Sequence, residues 1–373
     1  MRWPTQKLEA VADFCLGKML DQKKNRGEPL PYLANVNVRW GEFNLADLRE
    51  MRFEQHELDR YSLKYGDIVM CEGGEPGRCA IWKEQCSNMM IQKALHRIRP
   101  HDCLRPEFLY YFFLYKGRTG HLASLFTGAT IKHLPREKLA LVEVPVPPYS
   151  AQNQIASILS AYDDLIENNR RRIQLLEQAA RLLYKEWFVH LRFPGHEHTQ
   201  IIDGVPEGWE KKPLGSIASL KYGKALKNDD RIPGPFPVYG SSGIVGTHTK
   251  ALVPGPTIIV GRKGNVGSVY WSPDDCHPID TVYFIDSEHC SFFLYYALQQ
   301  MTFISTDVAV PGLNRDFAHS RSILVADQKM LRLFEETVSP LHQQTELLKR
   351  QNTALAKARD LLLPKLMNGD VAV

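Results

Sequence analysis

The same local features occur twice along this chain in the same order, and such a chain must build one architecture two times. Each half opens on a small-basic element, Gly17-Lys18-Met19-Leu20 and Gly223-Lys224-Ala225-Leu226. Pro31-Tyr32-Leu33 and Pro237-Val238-Tyr239 follow. Next comes a glycine-punctuated strand pair, Tyr65 to Gly77 and Pro254 to Gly267, with β-branched residues flanking a Gly-x-x-Gly loop, and then a short strand ending near tryptophan, Trp82 or Trp271. Aromatic helices are predicted at Phe108-Leu109-Tyr110-Tyr111-Phe112-Phe113 and Phe292-Phe293-Leu294-Tyr295-Tyr296. Each half then has Gly128-Ala129-Thr130-Ile131-Lys132-His133-Leu134 or Val310-Pro311-Gly312-Leu313-Asn314-Arg315. Each closes on a glutamine-containing helix start, Ala151-Gln152-Asn153-Gln154 or Asp327-Gln328-Lys329.

The repeated module ends in a long helix. Ile166, Ile173, Leu176, Ala180, Leu183 and Trp187 fall at steps of seven, three and four, which draws one apolar seam. Leu341, Leu348, Leu355 and Leu362 recur every seven residues, with Leu366 after them, and Ser339-Pro340 ahead of them reads as an N-cap with proline at the first helical position. Two matched seams favour pairing with each other, and connectivity makes the pair antiparallel. Ile166 to Phe188 spans roughly 35 Å at ~1.5 Å per residue, close to the ~34 Å of one turn of B-DNA that separates half-sites in two-headed DNA binders.

The expected fold is α+β. Two similar recognition domains, residues 1–150 and 195–325, are joined by a central helical segment, 151–194, and followed by a C-terminal one, 326–373. The whole has approximate two-fold internal symmetry. With 373 residues, 44% of them hydrophobic and 24% charged, the chain is long enough for two cores. It has no apolar run of membrane-spanning length and no secretory signal core, so a cytosolic location is expected. Seven cysteines without a C-x-x-C pair indicate neither a disulfide framework nor a metal site.

A formal net charge of +4 permits an anionic partner. Basic and amide side chains gather in loops: Lys18, Lys23, Lys24, Asn25 and Arg26 in the first half, and Lys221, Lys224, Lys227, Arg262, Lys263 and Asn265 in the second. Arg78, Lys93, Thr130, Lys132, Ser241, Ser242, Asn314 and Arg315 complete the set of candidate DNA contacts. Arg or Lys pairs with guanine, Asn or Gln with adenine, and all of them can meet phosphate.

Catalytic motifs are missing. Gly261-Arg262-Lys263-Gly264-Asn265-Val266-Gly267 has neither the spacing nor the Lys-Ser/Thr pair of a phosphate loop. Val146-Pro147-Pro148-Tyr149 resembles the Asn-Pro-Pro-Tyr motif of amino-methyltransferases, but valine replaces the essential amide, so the segment reads as a strand stop before the first long helix. Pro273-Asp274-Asp275 lacks the Glu-x-Lys of a nuclease and reads as a turn.

With these features in hand, the chain resembles the specificity subunit of type I restriction-modification systems over nearly its whole length. The resemblance is carried by Gly17-Lys18-Met19-Leu20, Cys71 to Cys79, Ile91 to Arg97, Thr130 to Leu134, Val144 to Pro148, Val310 to Arg315, and Arg359 to Gly369. It implies a noncatalytic protein in which each domain reads one part of a split site in double-stranded DNA. The helices would fix the gap and dock two methyltransferase subunits. S-adenosylmethionine would belong to those partners, ATP and magnesium to a separate motor and nuclease subunit, and no cofactor to this chain. Arg321-Ser322-Ile323-Leu324-Val325-Ala326-Asp327 departs from the proline-rich approach to the helix, so the second junction is expected to differ. The competing reading is a stand-alone two-headed DNA-binding regulator, whose helix seam would be satisfied wholly within the chain.

Overall fold

A computed structural model describes residues 3–21, 25–303 and 312–371. It divides into two compact units, Met1–Asn169 with Arg350–Val373, and Arg170–Lys349.

In the first unit a four-stranded antiparallel sheet runs in the order Ala12–Leu16, Leu95–Pro100, Ile68–Cys71, Cys79–Ile81. Ile-Val-Met-Cys forms an inner strand because it is a continuous apolar run with no polar face to present, and all four side chains are buried. Beside it stands a three-stranded sheet, in which Glu28–Leu33 pairs antiparallel with Arg49–Phe53 and parallel with Met90–Ile91. Thr5–Lys7 pairs with Glu143–Pro145 to bring the two ends of the domain together.

The second unit repeats this wiring. Its four-stranded sheet runs Lys221–Tyr222, Val282–Ile285, Thr257–Gly261, Val269–Ser272. Phe236–Gly240 pairs antiparallel with Gly243–His248 and parallel with His277–Pro278, and Glu210–Pro213 pairs with Ser322–Val325. Hydrogen bonds align the copies residue by residue: Gly17 N to Leu95 O matches Gly223 N to Val282 O, and Lys18 N to Ile91 O matches Lys224 N to Pro278 O. A Cβ on Gly17 would lie 2.5 Å from the Gln92 carbonyl carbon, and one on Gly223 would lie 2.1 Å from the Ile279 oxygen. Close approach of two backbones therefore selects glycine at both sites.

The same alignment corrects the tryptophan pairing. Ile68 faces Ile81 across the hairpin, whereas Ile258 faces Trp271, so Trp271 matches Ile81 and Trp82 matches Ser272. One step along a strand reverses the face. Trp82 accordingly fills the small core of Leu33, Val38 and Val69, while Trp271 packs on Phe292 with ring centroids 4.4 Å apart.

Both aromatic segments are helices, Pro106–Arg118 and Phe292–Gln300. Phe108 through Leu114 are all buried, as a helix apolar on every side must be. Ser291 caps the second helix by accepting from Leu294 N at 3.1 Å. Glu335, its carboxyl pushed above the ordinary range by burial, accepts from Phe292 N and Phe293 N.

The long helices span Tyr149–Tyr184, continued by one π turn at Lys185–Val189, and Gln328–Met367. The first begins directly after Pro147-Pro148, where Gln152 is buried and its amide group donates to the Cys103 and Pro147 carbonyls. The second starts differently: Asp327 caps it through Lys329 N and Met330 N, both at 2.9 Å. Ser339-Pro340 is not a helix start. The helix runs through it because Met330, Phe334 and Val338, one turn apart, are buried in the core of the second unit.

Within each unit the helical segments are antiparallel. In the first, Asn169 Nδ2 donates to Asn352 Oδ1 at 3.0 Å, and Asp163 pairs with Arg359. In the second, Glu177 meets Lys349 at 3.5 Å, and Trp187 and Tyr184 pack on Phe334. Of the predicted seam, Ile166, Ala180, Trp187, Leu348 and Leu366 are buried and Ile173, Leu176, Leu183, Leu341, Leu355 and Leu362 are half-buried. The heptad pattern did not mark the polar members, Asn169, Thr345 and Arg359, which are buried as well.

Both domains pack apolar residues on their helical segments, Ile155, Leu159, Leu363 and Leu366 among them in the first, and each adds ties of its own. In the first unit Tyr111 donates to Asp163 at 2.8 Å, Arg118 to Asp360 at 2.7 Å, and Arg359 to both aspartates. In the second the fastening is aromatic: Tyr184, Trp187, Phe188, Phe293, Tyr296 and Phe334 form one cluster.

Candidate nucleic-acid interface

The Gly-x-x-Gly loops have one skeleton. Cys71 N bonds Arg78 O and Gly77 N bonds Cys71 O, as Gly261 N bonds Ser268 O and Gly267 N bonds Gly261 O. Gly74 and Gly77 have φ of 78° and 85°, and Gly264 and Gly267 of 78° and 77°, so the left-handed backbone of the turn dictates both pairs. Each loop is bridged to a second one: Gly73 to His133 in the first domain, Lys263 to Gly312 in the second. Leu134 N to Glu72 O and Leu313 N to Arg262 O, both 2.8 Å, repeat the contact.

In the first domain the two loops border an open groove of about 550 Å³ lined by Trp40, Glu75, Pro76, Thr130, Ile131 and Lys132. Thr130, Ile131 and Lys132 are exposed. In the second domain the corresponding surface is cationic. The Arg262 and Arg315 guanidinium groups each lie 5.4 Å from the centroid of the half-exposed Tyr222 ring. Arg262 also donates through Nε and Nη2 to the Asp280 carbonyl at 3.1 and 2.8 Å, which fixes its plane. Lys263 and Asn265 are exposed alongside, and Asn265 N reaches Ser241 Oγ at 3.5 Å. Ser242, Lys224 and Lys227 are exposed too.

Several predicted contacts are occupied otherwise. Lys18 is 4% exposed, pairs with Glu57, donates to Arg52 O at 2.9 Å and sits 5.1 Å from the Phe53 ring, so it holds the domain together instead of facing solvent. Its bond pulls the Glu57 carboxyl below the ordinary range against the cost of burial. Arg78 donates through Nη1 to Glu75 at 2.8 Å and through Nη2 to Asn35 O at 2.9 Å, making it a brace for the loop. Asn25 Oδ1 accepts from Arg52 N at 2.8 Å. Lys221 is ion-paired to Asp286, whose carboxyl is held below its usual range by Lys221 and His289. Asn314 caps the helix Arg315–Ser320 by accepting from Phe317 N at 3.0 Å. Arg26 and Lys93 are exposed, while Lys23 and Lys24, with Val310 and Pro311, lie outside the described residues.

Sequence reasoning passed over Tyr222, Trp40 and Glu75. Tyr222 directly precedes the repeated Gly-Lys element, and that adjacency is the one signal that marks it. The two suspect motifs are structural. Helix begins at Tyr149 after the proline pair, and Asp275 Oδ1 accepts from Gly255 N at 3.0 Å, tying the segments on either side of the hairpin together.

The family described as type I restriction modification DNA specificity domain matches residues 2–178 and 206–317, one match on each copy of the repeated fold. The chain belongs to this family. The type I restriction enzyme MjaIX specificity subunit of Methanocaldococcus jannaschii is 24% identical across the whole of this chain and 94% of its own length. The HindI specificity subunit of Haemophilus influenzae is 23% identical over 96% of this chain and 99% of its own. The fold matches the crystal structure of a type I restriction-modification S subunit from M. genitalium with a TM-score of 0.59, 20% identity, and coverage of 98% and 96% of the two chains. This specificity subunit is therefore a noncatalytic recognition protein. Among its described residues no helix is long and apolar enough to cross a membrane.

Proposed function

We propose that each domain of this specificity subunit reads one half of a bipartite site in double-stranded DNA, and that the helical segments set the gap between the halves and dock two methyltransferase subunits. The observation that carries the reading is the duplication itself: one sheet topology and one pair of bridged loops occur twice, with different side chains on the loops. Common backbone with divergent tips suits independent reading of two unlike half-sites. Apolar side chains left exposed on the helices, among them Leu165, Leu175, Leu182, Leu347 and Leu361, support partner subunits over the stand-alone regulator. On this reading S-adenosylmethionine works on the methyltransferases, ATP and magnesium on a motor and nuclease subunit, and the assembly acts in the cytoplasm.

The test is to map methylated adenines genome-wide in cells expressing the neighbouring methyltransferase with and without this chain. A split motif that vanishes when the chain is deleted is the expected result. Lengthening the central helix by one turn should then widen the unread gap. Methylation indifferent to the chain overturns the proposal.

A further inference from the structure

The two glycine loops place one hydrogen-bonding side chain at the same point of the same turn. Between the glycines stand Glu75-Pro76 in the first domain and Asn265-Val266 in the second. The same backbone bonds close both turns, whichever of the two side chains stands there. The turn therefore does not require a carboxylate in one copy and an amide in the other. What differs is recognition chemistry: an ionised carboxylate only accepts, whereas an amide both donates and accepts.

Glu75 is also prepared for an incoming donor. Trp40 Nε1 donates to its Oε1 at 2.6 Å and Arg78 Nη1 to its Oε2 at 2.8 Å, yet the side chain remains 52% exposed. Each oxygen keeps a lone pair for a further donor. Arg78 offsets the repulsion that a bare carboxylate would meet beside phosphates, and Lys132 stands across the groove. In the second domain the Asn265 side chain is exposed, in the same loop as Arg262 and Lys263.

From this we infer that the position shared by Glu75 and Asn265 reads a base in each half-site: Glu75 accepts from the N4 amino group of a cytosine, and Asn265 pairs with N6 and N7 of an adenine. Arg78 and Trp40 are positioning residues that orient the Glu75 carboxylate. The inference rests on the proposed reading of DNA by both domains.

The test uses the full chain co-expressed with its methyltransferase, mapping methylation for wild type, Glu75→Asn and Asn265→Glu, with unfolding temperatures of the purified complexes as a check on folding. Glu75→Asn should change a required C·G pair to A·T at one position of one half-site, by roughly tenfold in preference, and leave the other half unchanged. Asn265→Glu should make the reverse change in the other half and keeps the test open should the first variant not fold. Motifs unaltered in both folded variants, or methylation lowered alike at every site, would overturn the inference. In those outcomes the motif still depends on the chain, so they are distinct from failure of the DNA-specificity reading, in which deletion of the chain changes nothing.

Discussion

Phe334 joins the second long helix to the second domain, and replacing it by alanine gives a measurable account of that junction. The side chain is fully buried, with ring centroids at 5.0 Å from Phe188, 5.7 Å from Trp187, 6.0 Å from Tyr184 and 6.4 Å from Tyr296. Truncating a buried phenylalanine costs about 3–5 kcal/mol, because transfer energy is lost and the surrounding rings cannot close the cavity. Four ring neighbours place Phe334→Ala in the upper part of that range, about 4 kcal/mol. In a unit of this size each kcal/mol lowers the midpoint by about 2–4 °C, giving a fall of roughly 8–16 °C in the transition of residues 170–349. Thermal unfolding followed by circular dichroism and tryptophan fluorescence reads this directly. Phe334→Leu should recover more than half of the loss. The core of Phe108, Phe113 and Ile68 is built apart from Phe334, so the transition of the first unit should stay in place. A loss below about 1 kcal/mol would refute the aromatic cluster as the fastening of that domain.

His342 stacks on Phe292 at 4.0 Å and is hydrogen-bonded to the Tyr296 hydroxyl at 2.8 Å; burial, aided by Lys349, pushes its pKa down to about 4. Because the unfolded chain takes up the proton more readily, its contribution is complete above the ordinary histidine value near 6.5 and is lost as pH falls from there towards 4, by an amount on the order of 3 kcal/mol. In urea titrations across that window His342→Phe should flatten the slope; a slope equal to wild type would contradict the assignment. Lys18 and Lys224 occupy equivalent positions with opposite environments, one buried on Glu57 and one exposed. Lys18→Met should destabilise the first domain and leave the salt dependence of DNA binding unchanged, whereas Lys224→Ala should keep stability and reduce the slope of log affinity against log salt by about 1. Binding isotherms over a salt series decide it, and a reduced slope for Lys18→Met would place that ammonium on phosphate after all.

The sequence by itself determined the features whose cause is local or periodic. Gly17 and Gly223 are required by backbone contact, the Gly74/Gly77 and Gly264/Gly267 pairs by left-handed turns, and the seams at Ile166 to Trp187 and Leu341 to Leu366 by helical period. From these the duplication, the α+β class and the family were legible. Tertiary structure decided what depends on neighbours distant in sequence. The Gly-Lys element is the same string twice, yet Phe53, from the adjacent sheet, and Glu57, from the helix that follows it, bury Lys18. A proline in mid-helix reads as a start until Phe334 and Val338 are seen holding the preceding turns in a core. Two tryptophans that read as counterparts face opposite sides because, in hairpins of the same register, they stand one residue apart, which only the strand pairing reveals. Periodicity and turn geometry act within a few bonds and are written in the chain; burial and ion pairing act across space and exist only once it has folded.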